Sequence, residues 1–141
     1  MTENPVRNAS IRIVLGIGCR PTAVPEALYR LAVRALREAG VERHSLSAVA
    51  TIDRREGDGT VETVAERLGV PVLYLSAERL EAETPRLVHP SEAVFRAVGC
   101  HGVAEAAALA AAGADSRFLL AKIADGNMTA AIAANAAFFT V

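Results

Sequence analysis

The stretch Ile11-Arg12-Ile13-Val14-Leu15-Gly16-Ile17-Gly18-Cys19-Arg20-Pro21, followed by an amphipathic segment from Pro25 to Gly40, decides the fold class. Branched and long aliphatic side chains over Ile11–Ile17 suit a buried strand. The glycines suit a tight turn, and Pro25 suits the first turn of a helix. A strand, a glycine turn and a helix start in so short a span put Cys19 and Arg20 at the carboxyl end of a strand, the edge at which open α/β sheets bind ligands. The helix that follows would point free N–H groups and its positive dipole end toward that loop. Geometry alone also asks for glycine in such a connection. Gly-x-Gly without a third glycine is an incomplete dinucleotide fingerprint, so neither nicotinamide, flavin nor any other cofactor is expected.

Outward from this stretch, apolar periodicity predicts helices over Pro25–Ala39, Thr60–Leu68, Pro90–Val98 and Val103–Ala112. Strands are predicted over Leu46–Ile52, Val72–Leu75, Phe118–Lys122 and Met128–Ala133. Leu28, Leu31, Ala32, Ala35 and Leu36 share one face of the first helix, and Gly40 and Gly69 are natural stops. Ser76 is placed to cap a single turn through Leu80, while Glu81–Val88 lacks periodicity and reads as loop. The Asp125-Gly126 step favours a hairpin between the last two strands. The expected fold class is α/β, a three-layer α/β/α arrangement with a mixed, mostly parallel sheet and a C-terminal antiparallel hairpin. Residues 1–10 read as a flexible N-terminal segment and 11–141 as a single domain, with Phe138 and Phe139 docked on its body.

The 141 residues suffice for one ordinary domain, which buries about two thirds of the surface its unfolded chain exposes. A formal net charge of -1 gives no global attraction to nucleic acid or anionic membranes, so neither is an expected partner. No apolar run has the length of a membrane span, and Met1–Ser10 lacks the apolar core of a signal peptide. A cytoplasmic location is expected, where Cys19 and Cys100 would be free thiols. Every basic side chain but Lys122 is arginine, so an ammonium at that strand end stands out.

Several predicted loops converge at one edge of the sheet. They carry Gly16, Gly18, Cys19 and Arg20; Thr51, Asp53, Arg54 and Arg55; Gly99 and Gly102 around Cys100 and His101; Glu105; and Lys122. Single arginines at loop ends are ordinarily solvated, and Cys19 is either a small buried hydrophobe or a thiol activated by a helix end. Several cations from separate loops at one mouth, however, repel one another unless an anionic ligand or local carboxylates compensate. Cys100 and His101 are adjacent, and with His44 and His89 scattered they lack the spacing of a zinc site. No metal is expected.

The phrases Gly16-Ile17-Gly18-Cys19-Arg20, Ala50-Thr51-Ile52-Asp53, Gly99-Cys100-His101-Gly102-Val103-Ala104-Glu105-Ala106-Ala107-Ala108-Leu109, and Lys122 followed by Met128-Thr129-Ala130-Ala131-Ile132 resemble the CobE family of cobalamin biosynthesis. The same domain is similar to the C-terminal part of CbiG, the cobalt-precorrin-5A hydrolase. The likeness spans Ile11–Ala133. Pro21 stands where a second basic residue is common, and Arg55 and Asp58 stand where Lys and Glu are usual.

This resemblance implies binding of a carboxylated corrin or precorrin, a broad apolar macrocycle ringed by carboxylates. Glycine turns, the alanine-rich helix and the scattered cations offer matching ingredients. Three classes of function stand open: a non-catalytic module that holds or hands on the intermediate, a hydrolase of a precorrin lactone with Cys19 or His101 as nucleophile or base, and an interaction subunit for other cobalamin-biosynthesis enzymes. The first is favoured. The CbiG hydrolase has an additional N-terminal region without counterpart in this chain.

Overall fold

The computed structural model describes residues 11–140; the expected flexible segment, residues 1–10, lies outside them. The strands are β1 (Ile13–Cys19), β2 (Ala48–Ile52), β3 (Val72–Leu75), β4 (Arg117–Asp125) and β5 (Met128–Ala134). The helices are α1 (Pro25–Ala39), α2 (Thr60–Leu68), α3 (Ala77–Glu81), α4 (Glu92–Val98), α5 (Ala104–Ala112) and α6 (Ala136–Phe139). One five-stranded sheet runs in the order β3-β2-β1-β5-β4. β1, β2 and β3 are parallel, while β5 is antiparallel to both β1 and β4. Four strands therefore point one way and β5 the other, in a three-layer α/β/α fold with a mixed sheet.

Alternation along β1 divides the interior in two. Ile13, Leu15 and Ile17 belong to a core shared with Leu28, Leu31 and Ala35 of α1 and Val61, Val64 and Leu68 of α2. Val14 faces the other way, into a core with Cys100, Leu80 and the alanines of α5. The alanines matter because α5 lies directly on the sheet, where larger side chains would hold the backbones apart.

That close approach corrects the reading of the first glycines as a tight turn. Gly16 and Gly18 lie inside β1, paired with Ala131 and Thr129 of β5, and neither is among the glycines with positive φ. They face α5: a Cβ on Gly16 would sit 2.0 Å from the Ala104 carbonyl oxygen, and one on Gly18 would sit 2.6 Å from Thr129 Oγ1. Their role is the absence of a side chain in a strand. Thr51 is likewise structural, its buried Oγ1 donating to the Ile17 carbonyl at 2.7 Å across the β1–β2 ladder.

The stretch read as loop, Glu81–Val88, is firmly anchored. It contains a 3₁₀ turn at Thr84–Arg86, and the buried Glu83 accepts from Arg79 at 2.8 Å and Arg86 at 2.7 Å. Arg86 also donates to the Ser116 carbonyl at 2.7 Å. Sequence periodicity misses this segment because paired charges, not a repeating apolar face, hold it down. Ser76 caps α3 by accepting from Arg79 N–H, as expected. At the far end, Phe138 and Phe139 pack against the first core and Arg117 stacks 4.1 Å over the Phe139 ring, which is the docked arrangement expected of that tail.

The hairpin closes at Asp125 and Met128 around Gly126 (φ 61°) and Asn127. β4 is longer than predicted and has register shifts between Phe118 and Leu120 and between Leu120 and Ile123. The second shift leaves Lys122 out of the ladder pairs, and its N–H is taken by a side chain instead, that of Glu105.

Candidate functional site

A cleft of about 480 Å³ opens where β1 and β2 end, bounded by the start of α5, the helix α4, Lys122 and the β4–β5 turn. Among the residues singled out from sequence, it gathers Gly18, Cys19, Arg20, Arg54, Arg55, Gly102, Glu105 and Lys122. Gly16, Thr51, Asp53, Gly99 and His101 do not line it. Gly16 and Thr51 are occupied with packing, as above; Gly99 ends α4 in a left-handed conformation (φ 88°). Asp53 is an exposed residue that opens a 3₁₀ turn.

The cations differ in what already holds them. Arg55 Nη1 lies 3.0 Å from Asp58 Oδ2 but is poorly aligned for a hydrogen bond, so this buried nitrogen lacks an acceptor. Arg54 donates to the Ala97 carbonyl at 3.2 Å and so touches α4. Among the described residues, the Arg20 guanidinium and the Lys122 ammonium have no carboxylate partner. Three positive groups, on Arg20, Arg54 and Lys122, thus stand at one cleft without ion pairs among the described residues.

Glu105 is the carboxylate of the cleft, and it is already in use. Only 2% exposed, it accepts from Val88 N–H and His89 N–H through Oε1, both at 3.0 Å. Its Oε2 accepts from Lys122 N–H at 2.9 Å and lies 3.0 Å from His89 Nδ1. Burial by itself would raise its pKa, but these hydrogen bonds, with Lys122 N–H foremost, outweigh burial and hold the carboxyl below its ordinary range. One side chain from α5 therefore ties the 88–89 loop to the bulged β4.

His89 lines the cleft with its side chain half exposed. Sequence reasoning passed over it because it sits in an aperiodic stretch and its partner is sixteen residues away. The one readable signal was Glu105, the single charge in an otherwise apolar helix. α4 adds Ala93, Val94, Ala97 and Val98, an apolar wall that sequence reasoning did not assign to the site.

The two residues considered for catalysis sit in different surroundings. Burial pushes the Cys19 thiol above its usual pKa, and the opposing pull of Arg55 does not overcome it. Of the two readings open for it, a small buried hydrophobe or a thiol activated by a helix end, the partly buried position on β1 favours the first. His101 lies between two carboxylates, with Nδ1 2.9 Å from Glu81 Oε2 and Nε2 3.2 Å from Glu92 Oε2. Its ring stacks on Phe95 at 4.4 Å. Glu81 is the main reason its pKa is raised, with Glu92 adding to the effect. The imidazole so placed fastens α4 to the end of α3.

Free thiols were expected and both cysteines are free. Among the described residues there is no group of metal-ligating side chains, and no helix is long and apolar enough to cross a membrane.

A mixed sheet of this order with a small-residue helix laid on β1 and cations at the strand ends defines a class of domain that comparison recognises directly. Residues 13–133 match the family described as "Cobalamin synthesis G C-terminus", and the chain belongs to that family. It is similar to Protein CobE from a Sinorhizobium species, 42% identical over 125 residues that cover 89% of this chain and 81% of that protein. It is also similar to a cobalt-precorrin-5A hydrolase from Priestia megaterium, 28% identical, covering 93% of this chain but 34% of the hydrolase. The crystal structure of CobE, a protein from the cobalamin biosynthetic pathway, superposes with a TM-score of 0.82 at 35% identity over 95% of this chain and 94% of that one.

Proposed function

We propose that this domain serves cobalamin biosynthesis by binding a carboxylated corrin or precorrin intermediate in the cleft at the strand ends, without itself transforming it. The observation that carries the reading is the set of Arg20, Arg54 and Lys122, three cations from separate segments at one cleft with no ion pair among the described residues. Their repulsion is relieved by an anionic ligand, and peripheral carboxylates of a tetrapyrrole accept charge-assisted hydrogen bonds from just such groups. The apolar wall of α4 suits the macrocycle. Similarity to CobE supports the pathway.

The hydrolytic alternative draws on the similarity to cobalt-precorrin-5A hydrolase, of which this chain covers about a third. A thiol kept protonated at Cys19 and a His101 fastened by Glu81 and Glu92 favour the binding role instead. Titration with cobyrinic acid and its metal-free counterpart hydrogenobyrinic acid, followed by visible absorbance, tests the reading. Binding that weakens with added salt is expected. No spectral change for either at micromolar concentration would overturn it and favour a subunit that acts on another enzyme.

A further inference from the structure

We propose that His89 supplies an axial nitrogen ligand to the central metal of a bound metallocorrin, so that the cleft distinguishes a cobalt-bearing ring from a metal-free one. The inference rests on the corrin-binding reading. Its physical basis is the contact, at 3.0 Å, between His89 Nδ1 and Oε2 of the buried Glu105. Glu105 already accepts from Val88 N–H, His89 N–H and Lys122 N–H, and an oxygen in that accepting position takes the ring's Nδ1–H as well, the tautomer that leaves the lone pair on Nε2. A carboxylate behind one imidazole nitrogen is the arrangement that orients metal-binding histidines and raises their basicity.

Three further features fit. Among the described residues Nε2 has no partner, and His89 lines the cleft with its side chain half exposed. The backbone leading into His89 is pinned, since the same carboxylate accepts from both Val88 N–H and His89 N–H. The ring thus presents its nitrogen with little ordering left to do. Finally, α4 contributes Ala93, Val94, Ala97 and Val98 to the same cleft, side chains without hydrogen-bond donors. Such a wall suits the flat apolar face of a macrocycle, the face from which an axial donor reaches the metal. In the step proposed, the Nε2 lone pair forms the bond to cobalt and the axial water leaves, with no change of oxidation state.

The test is electron paramagnetic resonance of the full chain mixed with cobyrinic acid in its cobalt(II) form, beside absorbance titrations with that corrin and with hydrogenobyrinic acid. The wild-type complex should show the triplet splitting of one coordinated nitrogen. His89→Ala, at a half-exposed position whose loss leaves folding intact by melting curve, should abolish the splitting and weaken the cobalt corrin about tenfold. Its affinity for the metal-free corrin should stay unchanged. A bound cobalt corrin without nitrogen splitting in the wild type would overturn the proposal. So would an equal loss for both corrins, which would make His89 a carboxylate contact or a proton acceptor. Binding of neither corrin removes the corrin reading itself, a result distinct from either of these.

Discussion

Gly16 of β1 lies so close beneath Ala104 of α5 that a Cβ placed on it would stand 2.0 Å from the Ala104 carbonyl oxygen and 2.8 Å from the Ala108 nitrogen. Both obstacles are backbone, in a helix almost wholly buried, and neither can swing aside. Gly16→Ala should therefore lift α5 off the sheet and cost about 3 kcal/mol or more, the upper range of overpacking penalties. At Gly18 the obstacle is the Thr129 hydroxyl at 2.6 Å, a side chain that can turn. Gly18→Ala should cost about 1 kcal/mol. Urea melts of the two variants check the order; equal losses would contradict it.

Glu105→Gln replaces one acceptor oxygen by a donor opposite an N–H or the His89 ring. A loss of about 2–4 kcal/mol is expected for a buried, multiply bonded carboxylate. Because the folded pKa of Glu105 is depressed, its stabilisation is complete above the ordinary carboxylate range and is lost as pH falls through the depressed value. The wild type should lose stability across that acidic interval more steeply than Glu105→Gln. Melting temperature against pH for the two proteins is the measurement.

His101 predicts the opposite dependence. Its folded pKa is raised, chiefly by Glu81, so the stabilisation of the α3–α4 fastening is complete below the ordinary histidine value of about 6.5 and is lost as pH rises through the higher folded value. The imidazole resonances should titrate at a pH above that of a free histidine. In Glu81→Gln they should move back toward it, and amide exchange in α4 should quicken.

Lys122 separates ligand contact from structure. Its backbone N–H bonds to Glu105 and is kept when the side chain is changed to Ala or Arg, whereas its ammonium has no ion pair among the described residues. Lys122→Ala should leave stability within about 0.5 kcal/mol and weaken corrin binding about tenfold, or ~1.4 kcal/mol. Lys122→Arg should lose less, since charge is kept but a planar guanidinium replaces a compact ammonium. Unchanged affinity in both variants would remove Lys122 from the site.

Much of the architecture was legible because local signals agreed with it. The helices Pro25–Ala39 and Thr60–Leu68 and the strand Val72–Leu75 have the bounds their periodicity and glycine stops predict. The hairpin follows from Asp125-Gly126. What failed to read through was relational. Gly16 and Gly18 look like a turn until α5 is known to lie on them, and Glu83 looks like loop polarity until Arg79 and Arg86 close on it. His89 gains its meaning from Glu105, in a different element, and no window along the chain contains that pairing as a pattern. The cations were easier, since charge at a strand end reads locally and Arg20, Arg54, Arg55 and Lys122 do meet at one cleft.

The placement of β5 between β1 and β4 has a consequence for the order of assembly. β1 finds β2 within a short stretch of chain, but its other neighbour pairs Ile13 with Ala134, nearly the full length away. Loop closure over that distance precedes its reward. Until Met128–Ala134 insert, one edge of β1 is open, and Lys122 has no frame to hold it at the cleft. On a ribosome the earlier strands can begin to pair while the pocket does not yet exist. The cleft is thus completed in one late step, when β5 closes against β1.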